Sequence, residues 1–226
     1  MSRDSYLPAL RFPALTRAYD PLIRLTTRES LFKRRLLEQA SPGAGQHVLD
    51  LGCGTGTLAL LVKQHRPSAD VVGLDADPEM LDQARSKARR AGVEIRFDEG
   101  FSTELPYPDA SFDLVLSTLF FHHLDLDSKR RTAGEIARVL GTDGELHVAD
   151  WGRPSDPLMA AAFLGVRLFD GFENTRENAR GALPAIFEQA GLDAAEQTGQ
   201  LRTFFGTLAL YRAQRPGAVP PAVAAG

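Results

Sequence analysis

Short apolar runs alternate with amphipathic stretches along most of the chain between residues 47 and 150. The first runs, residues 48–51 and 71–75, lie on either side of a stretch with helical spacing at residues 58–64. Strands that alternate with helices favour a parallel sheet that is covered by helices on both faces. The pattern therefore predicts a doubly wound α/β fold.

The alternation continues towards the carboxyl end of the chain. We predict further strands at residues 93–97, 112–117 and 145–150, and helices at residues 78–91 and 127–140. Residues 192–198 and 204–211 have a strand pattern but no helix between them, which favours an antiparallel pair at the sheet edge. The expected architecture is a Rossmann-like, mostly parallel sheet of seven strands with an antiparallel edge and helices on both faces.

Three parts are expected in the chain. Leucines at helical spacings precede the turn signal Ser41-Pro42-Gly43, so residues 1–45 are predicted to form a helical lead-in. Residues 46–215 form the main domain, and an apolar, aromatic-rich segment predicts a small helical cap at about residues 152–190, including a helix around residues 178–190. Residues 216–226 lack a pattern for burial and are expected to form a flexible tail.

Composition limits the classes of function. The 226 residues include 26 Lys and Arg against 29 Asp and Glu, a formal charge of −3, which does not suit a nucleic-acid coat. The single cysteine, Cys53, excludes an intrachain disulfide and a cysteine-rich zinc site. No stretch approaches 18 uninterrupted apolar residues, so we expect a cytoplasmic protein. The basic run at residues 33–35 leaves membrane association as the less favoured alternative.

A glycine-rich turn follows the first strand, with Gly52, Gly54 and Gly56 in five residues. Glycines allow sharp turns and let a ligand lie against bare backbone. The turn also satisfies the loose dinucleotide fingerprint, with Asp75 available for a ribose hydroxyl. However, Asp50 would lie beside a pyrophosphate and repel it. S-adenosylmethionine carries an ammonium and a sulfonium but no phosphate, so Asp50 and Asp75 suit this ligand better.

Four segments, residues 50–56, 73–81, 105–113 and 135–140, together resemble motifs of the class I S-adenosylmethionine-dependent methyltransferases. The resemblance is to the small-molecule group that includes ubiquinone/menaquinone-biosynthesis-type enzymes. It implies direct transfer of a methyl group from S-adenosyl-L-methionine to an O, N or C atom of a small-molecule acceptor. We expect a monomer or homodimer without a nucleic-acid partner. The alternatives are a non-catalytic domain that binds the methyl donor and, less favoured, a nicotinamide-dependent oxidoreductase.

The resemblance and the residue pattern together predict a set of donor-binding residues, in which Tyr19 of the lead-in corresponds to a tyrosine that closes over the donor. Phe101 stands where many relatives have an acid that binds adenine, so that hydrogen bond must come from Ser102, backbone or water. Met80 is equally suited to stacking under adenine and to packing its helix on the sheet. The predicted donor-binding residues are Tyr19, Asp50, Gly52, Cys53, Gly54, Gly56, Asp75, Ala76, Met80, Phe101, Ser102 and Ser117.

Two adjacent histidines, His122 and His123, follow the fourth strand at the edge where doubly wound sheets bind ligands. His122 is the candidate general base for an acceptor that loses a proton, and a hydrogen-bonded wall residue is the alternative. Because no third ligand is evident nearby, no metal site is expected. The acceptor is expected between the amino-terminal helix and residues 158–172, where four aromatic residues could line a pocket or fill the core. These are Trp151, Phe163, Phe169 and Phe172.

Overall fold

A seven-stranded sheet forms the centre of the computed structural model, which describes residues 29–217. The strands are β1 (His47–Leu51), β2 (Asp70–Asp75), β3 (Arg96–Glu99), β4 (Phe112–Thr118), β5 (Leu140–Trp151), β6 (Asp193–Thr203) and β7 (Gly206–Gln214). Their order in the sheet is β3-β2-β1-β4-β5-β7-β6, with the first five strands parallel and β7 antiparallel to both of its neighbours. The predicted Rossmann-like architecture with an antiparallel edge is confirmed.

Helices surround the sheet, and a 3₁₀ turn, Phe121–His123, follows β4. The helices are α1 (Glu29–Ala40), α2 (Thr57–His65), α3 (Pro78–Ala91), α4 (Leu126–Val139), α5 (Pro157–Asp170), α6 (Arg176–Arg180) and α7 (Leu183–Gln189). The start of α3 follows directly from the sequence, because the Asp77 side chain accepts hydrogen bonds from the first turn and Pro78 occupies the first helical position.

The strands bury both of their faces, because successive side chains point to opposite sides of the sheet. In β1, Val48 joins the core on the side of α1, α2 and α3, whereas Leu49 and Leu51 join the core on the side of α4 and α7. The continuous apolar character of the central strands thus reflects two hydrophobic layers, as parallel sheets require. The hydrophobic core thus lies on both sides of the central strands β1, β2 and β4.

The structure differs from the sequence prediction after residue 175. The helix predicted around residues 178–190 is divided into α6 and α7, because Gly181 adopts a left-handed conformation (φ +69°) and Pro184 stands at the start of α7. The predicted lead-in up to residue 28, with Tyr19, lies outside the described residues, as do residues 218–226. The division into lead-in, main domain with cap, and tail stays a prediction.

Helix α5 has two apolar faces. Met159, Phe163 and Val166 are buried against the sheet side, whereas Leu164 and Leu168 are exposed on the outer face. The outer face therefore presents apolar surface. Within residues 29–217, no helix combines the length and apolar character needed to cross a lipid bilayer.

The register of the parallel strands brings their carboxyl ends to one edge of the sheet. Leu51 at the end of β1 pairs with Leu74 of β2 and with Ser117 of β4, and Thr118 pairs with Ala149 of β5. Side chains that follow these residues therefore share one edge, where doubly wound sheets bind their ligands.

The packing around Gly56 yields a test of the fold. Gly56 has φ +73°, and a Cβ there would lie 2.8 Å from the Ala84 Cβ and 3.0 Å from the Phe97 ring. Gly92 has φ +67°, but a Cβ there would meet no atom within 4 Å. We expect Gly92→Ala to lower the free energy of unfolding by about 1 kcal/mol, the cost of a side chain at positive φ. Gly56→Ala carries the same cost and also a steric overlap, so its loss should be larger than that of Gly92→Ala by roughly 1–3 kcal/mol. Urea unfolding of both variants measures the difference, and equal losses would contradict the packing described here.

Candidate active site

The turn between β1 and α2 consists of backbone that only glycine adopts easily. Gly52, Gly54 and Gly56 all have positive φ values, of +67°, +52° and +73°. An L side chain costs roughly 1–2 kcal/mol in this region. The N–H groups of Gly52 and Cys53 donate to the Leu74 carbonyl at 2.8 and 3.0 Å, which ties the turn to β2. A Cβ on Gly54 would meet no atom of residues 29–217 within 4 Å, so this part of the structure leaves the backbone of the turn uncovered at Gly54.

Asp50 lies under this turn with only 1% of its surface exposed. Its Oδ2 accepts a hydrogen bond from the Ala59 N–H in α2 at 2.9 Å. Its Oδ1 is buried and accepts no hydrogen bond from the described residues. Burial raises the pKa of the Asp50 carboxyl to about 6, although the Lys33 ammonium of α1 opposes this shift. The free oxygen is therefore suited to a cationic or hydrogen-bond-donating ligand.

Asp75 ends β2 and holds the same turn from the other side. Its Oδ2 accepts from the Gly54 N–H at 2.8 Å, and its Oδ1 accepts from the Asp77 N–H at 3.0 Å. Burial raises the pKa of Asp75 above its ordinary value, although these hydrogen bonds oppose the shift. The Asp77 side chain already caps α3, so Asp75 is not needed as a cap. The structure thus brings both predicted acids to one glycine turn.

The other predicted donor-binding residues differ in their surroundings. Met80 and Cys53 are buried, and the Ser117 hydroxyl donates to the Leu51 carbonyl at 2.8 Å. The Ser102 hydroxyl is buried against the Thr132 hydroxyl of α4, with 2.8 Å between the oxygens. This bond attaches the loop that carries Ser102 to α4.

His122 forms a buried pair with Asp150, a residue that the sequence analysis did not single out. Its Nδ1 lies 2.8 Å from Asp150 Oδ1. The Asp150 carboxylate also accepts backbone hydrogen bonds from Phe120, Phe121 and Trp151 at 3.0, 2.7 and 2.7 Å.

At His122 and Asp150, ion pairing and hydrogen bonding together shift both pKa values more strongly than burial does. Burial opposes the ionisation of Asp150, but His122 and the backbone donors hold the pKa of its carboxyl below the ordinary value. Burial likewise opposes a charged His122, but Asp150 raises the pKa of its imidazole. The sequence does contain a feature that points to Asp150. It is an acidic residue at the carboxyl end of a predicted strand, at the sheet edge where ligands bind.

A third potential ligand lies beside the two histidines. Asp170, at the end of α5, places Oδ2 3.7 Å from His122 Nε2 and Oδ1 3.5 Å from His123 Nδ1. The expectation that the histidines have no third ligand nearby is therefore wrong. It failed because Asp170 reaches the histidines only through the folding of α5 onto the sheet.

The four aromatic residues considered for an acceptor pocket do not lie in one common environment. Trp151 and Phe163 are buried and their ring centroids are 5.6 Å apart, so they belong to the core. Phe169 is 93% exposed, and Phe172 lies under the Arg167 guanidinium at 4.6 Å. The first pair stabilises the fold, whereas the second pair lies at the surface.

Comparisons with known proteins identify the family. A model of the methyltransferase domain matches residues 48–144. An uncharacterized methyltransferase of Synechocystis sp. is 31% identical over 166 residues, which cover 72% of this chain and 74% of the relative. The chain belongs to the class I S-adenosylmethionine-dependent methyltransferases. The chain is also 39% identical over 145 residues to a demethylmenaquinone methyltransferase of Thermus thermophilus, covering 63% of this chain and 65% of the relative.

The solved structures agree in fold. The YcgJ protein of Bacillus subtilis has a TM-score of 0.69 at 23% identity, with 81% of this chain and 97% of that protein covered. A SAM-dependent methyltransferase of Aquifex aeolicus has a TM-score of 0.66 at 18% identity, with 91% and 99% covered. The chain spans less than two thirds of the length of the Thermus relative and of a Deinococcus radiodurans demethylmenaquinone methyltransferase, 65% and 63%.

The buried carboxylate gives a stability prediction with a defined sign. The folded-state pKa of Asp50 is about 6 against an ordinary 3.8. Its charge therefore destabilises the fold increasingly as the pH rises from about 4 to 6, and by a constant amount above that range. We expect the free energy of unfolding of Asp50→Asn, relative to the native chain, to rise by about 1 kcal/mol between pH 5 and pH 8.

Urea unfolding at the two pH values measures this change. The control is Asp82→Asn, which removes an exposed carboxylate from α3. The difference in free energy of unfolding between this variant and the native chain should be the same at both pH values. A pH-independent difference for Asp50→Asn would show that the Asp50 carboxyl is not destabilised by burial.

Proposed function

We propose that this methyltransferase moves a methyl group from S-adenosyl-L-methionine to an O, N or C atom of a small-molecule acceptor by direct displacement. One observation carries the proposal: the buried Asp50 Oδ1, which accepts no hydrogen bond in residues 29–217, lies beneath a glycine turn that Asp75 also holds. An oxygen in this position fits a ligand ammonium, and a second carboxylate at the end of β2 fits a ribose diol.

The residues present fit the donor, which supplies a methyl group made electrophilic by its sulfonium. Asp50 would bind the α-ammonium through Oδ1, and its charge is balanced in part by Lys33. Asp75 would accept from the ribose hydroxyls while it keeps its bond to the Gly54 N–H. Gly54 leaves room for the ligand against the backbone, because a Cβ there would meet no atom of residues 29–217 within 4 Å. Since the donor is already reactive, the protein mainly positions the reactants and excludes water.

The nature of the acceptor is the finer part of the proposal. Relatives from Thermus thermophilus and Deinococcus radiodurans are named demethylmenaquinone methyltransferases, and a Bdellovibrio bacteriovorus relative is named a ubiquinone/menaquinone biosynthesis C-methyltransferase. We therefore propose a quinone-type ring as the first acceptor to test. His122 stays a prediction as general base; Asp150 occupies its Nδ1, so Nε2 is the atom that would take a proton.

Two rival functions make different predictions about ligands. A nicotinamide-dependent oxidoreductase would place a pyrophosphate beside the Asp50 carboxylate, at an electrostatic cost. A non-catalytic domain would bind the donor without methylating any acceptor. The position of Phe101, where many family members have an acid, is the feature that favours this second rival.

Calorimetric titration with S-adenosylmethionine, S-adenosylhomocysteine and NADH tests the donor site. We expect micromolar binding of both adenosyl ligands and none of NADH. Asp50→Ala and Asp75→Ala should each weaken binding at least tenfold, about 1.4 kcal/mol, because each removes a carboxylate that faces the ligand. The matched control is Asp70→Ala, which removes an exposed carboxylate from the opposite end of β2 and should bind normally.

Turnover is then measured as methyl transfer to a demethylated quinone ring in its reduced form, detected by mass spectrometry. Binding of NADH alone, or equal affinities in the three variants, would contradict the donor site. Donor binding without transfer to this or any other acceptor of a small-molecule panel would support the non-catalytic rival.

A further inference from the structure

His122, His123 and Asp170 together form a three-ligand cluster at the carboxyl edge of the sheet. One ligand atom from each residue lies within 4.8 Å of the other two. The separations of Asp170 oxygens from His122 Nε2 and His123 Nδ1 are 3.7 and 3.5 Å. Ligands about 2.0–2.1 Å from a tetrahedral Zn²⁺ lie about 3.4 Å apart. The two separations that involve Asp170 are thus close to those of a tetrahedral site.

We propose that His122, His123 and Asp170 bind a divalent transition-metal ion of the Zn²⁺ class. Two imidazole nitrogens and one carboxylate are a ligand set that suits Zn²⁺ or Co²⁺ better than Mg²⁺ or Ca²⁺, which prefer oxygen. Three protein ligands leave one tetrahedral position for water or for an oxygen of a bound molecule.

The orientation of His122 supports this proposal. Its Nδ1 is paired with Asp150, which in turn is held by three backbone N–H groups, so the ring presents Nε2 to Asp170. A carboxylate on the far nitrogen of a metal-binding histidine fixes the ring and makes the ligating nitrogen more basic. Asp150 would therefore act as a positioning residue without contacting the ion.

Asn174 holds the other two ligands in place. Its Nδ2 donates to the backbone carbonyl of His123 at 3.1 Å and to that of Asp170 at 3.3 Å. The carbonyl of Asn174 accepts from the buried Lys129 ammonium at 2.5 Å. The segments that carry His123 and Asp170 are thus joined through one side chain, which preorganises the cluster.

The charges and the exposure of the cluster are compatible with a cation. Asp150 and Asp170 supply two carboxylates, and the nearby Lys129 ammonium lies 3.7 Å from Glu177 Oε2, which offsets its charge. The side chains of His123 and Asp170 are 34% and 24% exposed, so an ion can reach the cluster from solvent. His122 lies at the buried end.

The proposal does not rest on methyl transfer. It is an alternative to the general base predicted at His122, because the Nε2 lone pair cannot bind an ion and accept a proton together. An ion at this position could instead bind an acceptor oxygen near the carboxyl end of β4.

The test uses the full chain without an affinity tag, stripped with EDTA and titrated with Co²⁺ while visible absorption is recorded. We expect one equivalent of Co²⁺ to give the intense bands of tetrahedral coordination, and Zn²⁺ to displace it. His123→Gln and Asp170→Asn should each weaken Co²⁺ and Zn²⁺ binding at least tenfold and lose the tetrahedral bands. The circular dichroism spectrum and the melting midpoint of each variant show whether it is folded at the temperature of the titration.

The matched controls are His65→Gln, an exposed histidine on α2, and Asp82→Asn, and both should bind Co²⁺ as the native chain does. Asp50→Ala should also bind Co²⁺ normally, so a failure of the donor site and a failure of the metal site are distinguishable. Equal affinity in native, His123→Gln and Asp170→Asn chains, or no tetrahedral spectrum in the native chain, would overturn the proposal.

Discussion

The hydrogen bond from the Ala59 N–H to the Asp50 carboxylate joins the first strand of the sheet to α2. This bond spans the glycine turn between β1 and α2, in which Gly52, Gly54 and Gly56 all take left-handed conformations. The donors from residues 52 and 53 to the Leu74 carbonyl then fix the turn against β2. One buried carboxylate and one backbone carbonyl thus hold the glycine turn against the sheet.

Two buried carboxylates at the same sheet edge show how burial and hydrogen bonding compete. Asp150 accepts from three backbone N–H groups and from His122, and the pKa of its carboxyl is lowered. Asp50 accepts one hydrogen bond and has a free oxygen, and burial raises its pKa. The first carboxylate is a satisfied structural group, whereas the second keeps unsatisfied binding capacity. This difference favours Asp50 as the residue that faces a ligand.

Local patterns predicted most of the sheet because they act over a few residues. The apolar runs indicated the strands, Asp77 and Pro78 marked the start of α3, and the missing helix before the last strand indicated an antiparallel edge. The pairing of Asp170 with the two histidines was not predictable, because it depends on how α5 packs on the sheet. The bond between Ser102 and Thr132 was missed for the same reason. Asp50 and Asp75 were identified from the sequence because they lie at the carboxyl ends of two predicted strands.

The two outer strands of the sheet are poor templates for another chain. β3 contains only four residues, so it offers few unpaired backbone groups. β6 is longer, but its pairing with β7 shifts register twice, between Asp193 and Glu196 and between Gln197 and Gly199. Such bulges twist an edge and interrupt the regular spacing that strand addition requires. The irregular register of β6 therefore protects a large open sheet from edge-to-edge aggregation.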